Sequence, residues 1–100
     1  MKYLSYGSAK ILISDAAASA VLHYAAILAR TRDADVIDVP TSDADGLLAY
    51  ASVVLGPGVP VMATNAPDDA LEEDDRDFVD ELTARVGLVL ADAPRRGSAG

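Results

Sequence analysis

Twenty consecutive residues, 47–66, carry no charged side chain, and Gly56-Pro57-Gly58 followed by Pro60 lies in their middle. An apolar helix of that length could span a bilayer. Proline inside a helix removes a hydrogen bond and clashes with the preceding turn, and glycine adds backbone freedom. The segment is therefore expected as two short elements joined by a turn, not as a membrane span. Val53-Val54 and the turn that follows at once favour a strand over 47–55, although Leu, Ala and Tyr permit a helix there as well. A strand makes 35–64 a three-stranded antiparallel meander; a helix would make it βαβ, an α/β arrangement with a parallel sheet.

A strand covered on one face alternates apolar with polar residues. Here Leu47, Ala49, Ala51, Val53 and Leu55 form one row and Leu48, Tyr50, Ser52 and Val54 the other, and neither row holds a charge. Val59, Val61 and Ala63 likewise oppose Pro60, Met62 and Thr64. Two helices can cover one face of such a sheet. Large uncharged surfaces tend to be covered, so the other face predicts a homodimer, sheet on sheet or edge on edge. The candidate interface residues are Leu48, Tyr50, Ser52, Val54, Met62 and Thr64.

Around this segment the chain reads as an α+β protein. Two short runs, 2–6 and 10–14, flank Gly7-Ser8-Ala9 and predict an N-terminal hairpin. Ser14 is suited to cap a helix over 15–31, with Asp15 at its start, Arg30 near its end, and Ala17, Val21, Tyr24, Ala25 and Leu28 on one stripe. A strand follows at 35–40, and Thr41-Ser42-Asp43-Ala44-Asp45-Gly46 is rich in turn formers. Phe78, Val79, Leu82 and Val86 share a face of a second helix, with Gly87 as its expected stop and 88–91 as a short last strand. One domain over 1–92 and a disordered tail over 93–100 complete the reading. Lys2-Tyr3-Leu4, then Tyr6-Gly7, and this order of elements resemble small uncharacterised proteins of high-GC Gram-positive bacteria. The resemblance implies a similar fold in a bacterial protein and supplies no activity.

The net charge of −8 is concentrated in 68–81, where nine acids stand with one base, Arg76; the rest of the chain is neutral. Glu72, Glu73, Asp74, Asp75 and Asp77 form the densest part of this acidic patch. Such a patch repels a phosphate backbone and attracts a basic protein, so direct nucleic-acid binding is not expected. The apolar run Ile11-Leu12-Ile13 is too short for a signal peptide, and a cytoplasmic location is expected.

No residue constellation for catalysis stands out. The chain lacks cysteine, which excludes disulfides and thiolate sites. Asp43, Asp45 and Gly46 match part of a calcium loop, but Thr41 and Ser52 stand where its first and last carboxylates belong. His23, the only histidine, has Ser19 one turn away and no third group to orient it. Gly56-Pro57-Gly58 lacks the lysine and the N–H donors of a phosphate loop. No cofactor and no metal are expected, and an enzyme reading has no support from these residues. The leading expectation is a non-catalytic, self-associating interaction domain whose acidic helix start engages a basic partner. The alternatives are an acidic regulator that mimics nucleic acid on a partner protein, and a small-ligand binder or enzyme with a pocket between helix 15–31 and the sheet.

Overall fold

The computed structural model describes residues 1–43, 45–66 and 75–99, with side chains described as far as Asp92. The chain is α+β. Its elements are β1 (Lys2–Tyr6), β2 (Ala9–Ile13), α1 (Asp15–Thr31), β3 (Asp35–Ser42), β4 (Leu48–Leu55), β5 (Val61–Asn65) and α2 (Arg76–Ala99). Residues 48–55 are a strand, so the helical alternative and its parallel sheet fall away.

Local chemistry places each element. Tyr6 pairs with Ala9 across the loop residues Gly7 and Ser8, and Gly7 takes the positive φ of +59° that a tight hairpin loop needs at its first position. Ser14 caps α1 by accepting the N–H of Ala17 at 3.1 Å. The helix ends where Arg32 turns left-handed and its N–H returns to the Leu28 carbonyl. Pro57 and Gly58 form the centre of the turn after β4, closed by the Val59 N–H to the Gly56 carbonyl at 3.2 Å, with Gly58 at φ +78°. Asp43 holds the β3–β4 tip: its Oδ1 accepts the N–H groups of Asp45 and Leu47. The partial calcium motif is thus occupied with capping its own turn.

The pairing of the strands corrects the expected meander. Strands β3 and β4 form a two-stranded antiparallel sheet, whereas β5 pairs with β1 in a three-stranded sheet of order β2-β1-β5. Pro60 precedes β5 and cannot donate a ladder hydrogen bond, so the chain leaves β4 after its turn. It takes the open edge of β1, with Tyr6 opposite Val61 and Lys2 opposite Asn65. Side-chain hydrogen bonds tie the sheets together. Thr41 Oγ1 donates to the Leu12 carbonyl at 2.7 Å, and the Val54 N–H donates to the Tyr6 hydroxyl at 3.2 Å.

The second correction concerns α2, which continues through Gly87 to Ala99 in place of a stop and a strand over 88–91. Leu82 and Val86 are buried and Val89 packs against the core, a helical spacing, while Leu88 and Leu90 stay exposed. Nothing stands near the position a Gly87 side chain would fill, so that glycine costs the helix about 1 kcal/mol and does not end it. Leu4, Ile13, Val21, Leu28, Ile37, Val39, Leu55 and Leu82 are fully buried and share one core. Among the described residues no helix is long and apolar enough to cross a membrane.

Candidate functional site

Strand alternation sends Asp35, Ile37 and Val39 to the core side of β3 and Val36 and Asp38 to the other. The two aspartates therefore enter different surroundings. Asp35 Oδ2 accepts the Tyr24 hydroxyl at 2.5 Å and Arg85 Nη1 at 2.8 Å, and its Oδ1 accepts the Val36 N–H. Arg85 Nη1 also donates to the Val36 carbonyl at 3.2 Å, and Nη2 donates to Glu81 Oε1 at 3.0 Å. Through these bonds α1, β3 and α2 share one polar clamp.

The clamp fixes its own protonation. Burial and then the Asp35 carboxylate push the Tyr24 hydroxyl up to about 12. Burial alone would raise Asp35, but the hydrogen bonds from Tyr24 and Arg85 outweigh it and hold the carboxyl below its usual range. The same bonds that shift the two groups dock both helices to β3.

Asp38 faces outward, where its Oδ1 accepts the Ser52 hydroxyl at 2.5 Å. With Tyr50, Asp77, Phe78 and Glu81 it lines an open cleft of about 340 Å³ between the first turns of α2 and the β3–β4 sheet. Three carboxylates and two aromatic rings thus share one concavity. Beside it runs the solvent face of β3–β4, on which Val36 (57% exposed), Leu48 (56%), Tyr50 (65%) and Val54 (42%) stand together.

Leu48, Tyr50, Ser52 and Val54, singled out from the sequence, share this face. Met62 and Thr64 do not join them: they belong to the other sheet, opposite Ser5 and Tyr3 of β1. Met62 lines a separate, smaller depression with Ser5, Gly7, Pro60 and Val61. Of the acidic patch, Asp75 and Asp77 flank the start of α2, and Glu72, Glu73 and Asp74 lie outside the described residues. His23 and Ser19 are exposed on α1, and Tyr24, beside His23 in the sequence, is buried. The sheet-facing stripe of α1 is packed, with Ala17, Val21 and Leu28 in the same core as Leu4 and Ile13. Among the described residues no group of three or more His, Asp or Glu side chains is arranged to hold a metal ion.

The meander expected over 35–64 put the strand of Val36 and Asp38 beside the uncharged one, but sequence reasoning did not name those two as part of its outer face, did not bring Phe78 and Glu81 to it, and missed the clamp. The alternation of Asp35-Val36-Ile37-Asp38 could have separated the two aspartates by face. Nothing local could have joined either one to α2. Comparison with protein-family models, with curated proteins and with solved structures finds no match. The functional reading therefore rests on the geometry alone.

Proposed function

We propose that this chain is a non-catalytic, cytoplasmic interaction module that pairs with a second copy through the solvent face of β3–β4 and offers an acidic surface to a basic partner. The observation that carries the reading is the clustering of Val36, Leu48, Tyr50 and Val54 on one exposed face of a sheet whose other face, through Ile37, Val39, Val53 and Leu55, lies in the core. A two-stranded sheet is weak by itself, and burying one such side chain fully is worth about 1.5–3 kcal/mol.

The pattern on this face is self-complementary. Val36 and Val54 are partners at one end, Leu48 and Tyr50 lie toward the other, and Asp38 with Ser52 stands between them. A two-fold axis near the middle sets the valines of one copy against Leu48 and Tyr50 of the next, as an isologous contact requires. Sedimentation equilibrium at micromolar concentration is expected to return twice the chain mass of 10.3 kDa. Leu48→Lys or Val54→Lys is expected to return the monomer mass with an unchanged far-ultraviolet circular dichroism spectrum, and a urea midpoint that no longer depends on protein concentration. A wild-type chain that sediments only as a monomer removes the reading.

A further inference from the structure

We infer that the cleft bounded by Asp38, Tyr50, Asp77, Phe78 and Glu81 seats an arginine side chain from a basic segment of another protein. The inference rests on the interaction-module reading and names the partner chemistry that the acidic surface would take. Carboxylates alone do not make a site. Here they come from two elements, β3 and α2, and stand around a concavity walled by two aromatic rings.

Each part of the cleft excludes other ligands. A metal ion needs a convergent set of oxygen ligands, and no such set exists among the described residues. An anion is repelled by the carboxylates. A neutral apolar ligand would leave them without a partner in a closed contact. A cation with a flat face satisfies both kinds of wall. Guanidinium stacks on an aromatic ring and at the same time donates in-plane hydrogen bonds to carboxylates, which the compact ammonium of lysine does less well.

Arg85, which is bonded to one residue of the cleft, is held by the clamp. Arg85 donates to Glu81 from the clamp side, where it is also held by Asp35 and the Val36 carbonyl. Among the described residues Asp38 accepts the Ser52 hydroxyl, a neutral donor that leaves its charge unmatched. Asp77 lies in the first turn of α2, on the cleft side of the helix start. The cleft thus presents negative charge beside the exposed ring of Tyr50.

The test is titration of the full chain with a labelled Gly/Ser peptide bearing arginines, read by fluorescence anisotropy at physiological ionic strength. Its lysine and citrulline counterparts are run beside it, citrulline being the neutral analogue of arginine. The arginine peptide is expected to bind, the lysine peptide to bind more weakly, and the citrulline peptide not at all. Tyr50→Ala and Asp77→Asn are each expected to weaken arginine-peptide binding about tenfold, which corresponds to about 1.4 kcal/mol. Asp80→Asn removes the same charge from the same helix at an exposed position that does not line the cleft, and is expected to leave binding within about twofold.

Equal losses in Asp77→Asn and Asp80→Asn would reduce the effect to overall acidity and overturn the inference. So would binding that ignores Tyr50→Ala, lysine binding as tight as arginine binding, or no binding. Tyr50 and Asp38 belong to both the cleft and the β3–β4 face, so the arginine peptide and a second copy compete for them, and the peptide is also titrated against the monomeric Val54→Lys variant. A wild-type monomer that binds arginine through Tyr50 and Asp77 keeps the cleft and removes self-association; a wild-type dimer whose Val54→Lys monomer ignores the peptide does the reverse.

Discussion

Asp35 and Asp38 stand three positions apart on one strand and show how differently a fold can use the same side chain. Asp35 turns inward and meets a tyrosine, an arginine and a backbone N–H, so that its lone pairs are taken and its charge is matched. Asp38 turns outward, receives one hydroxyl, and shares a cleft with two further carboxylates. The first arrangement locks α1, β3 and α2 together. The second leaves negative charge and aromatic surface available to something outside the molecule. Complete satisfaction of a polar group marks structure here, and incomplete satisfaction in a concavity marks recognition.

The largest expected contrast lies in the two tyrosines. Tyr24 is buried at the clamp and Tyr50 is exposed at the cleft. Tyr24→Ala removes a core ring as well as the bond to Asp35, and is expected to cost about 3–5 kcal/mol in urea unfolding. Tyr50→Ala, introduced into the monomeric Val54→Lys variant so that self-association does not enter, is expected to change stability by no more than about 0.5 kcal/mol. Equal losses would mean that the cleft is as structural as the clamp.

A smaller effect separates the aspartates themselves. Asp35→Asn is expected to cost about 1–2 kcal/mol, because the Asp35 and Arg85 side chains are each 32% exposed and solvent screens part of the pair. The pH dependence sharpens this. The Asp35 carboxyl is depressed on folding, so its contribution is complete above the unfolded value near 3.8 and is lost as the pH falls through the lower folded value. The Tyr24 hydroxyl is raised, so its contribution is complete below its ordinary 10.0 and is lost as the pH rises through about 12. Urea midpoints followed across pH are expected to show a shallower acid limb in Asp35→Asn and a shallower alkaline limb in Tyr24→Phe.

The smallest expected effect concerns self-association. A two-fold contact across β3–β4 brings Asp38 near its own mate, so Asp38→Asn is expected to tighten the dimer about two- to threefold at low salt. The gain should vanish at high salt, where wild type and variant converge in sedimentation equilibrium. Tightening that persists at high salt would place Asp38 away from the contact.

Much of the fold was legible before the structure. The Ser14 cap, the Ala-rich helix from Asp15 to Thr31, the Gly7 hairpin and the Gly-Pro-Gly turn follow from propensities and dihedral preferences that act over a few residues. The two-sided pattern of β4 placed Leu48, Tyr50, Ser52 and Val54 on one face. The end of α2 was misread because a single glycine resembles a stop locally, while the buried spacing of Leu82, Val86 and Val89 carries the helix onward. Met62 and Thr64 were assigned to the same surface as Tyr50 because adjacent strands in a chain are usually neighbours in a sheet.

By itself the sequence determined where elements begin, where they turn and which side of each strand is apolar, because those choices depend on residues within one or two turns of each other. Tertiary structure alone decided that β5 pairs with β1, that Arg85 reaches Asp35 across 50 residues, and that Asp38 and Tyr50 meet Asp77, Phe78 and Glu81. Periodicity says which face of an element seeks cover and is silent on what covers it. That choice is made by the shape and charge of surfaces that exist only once the chain has packed.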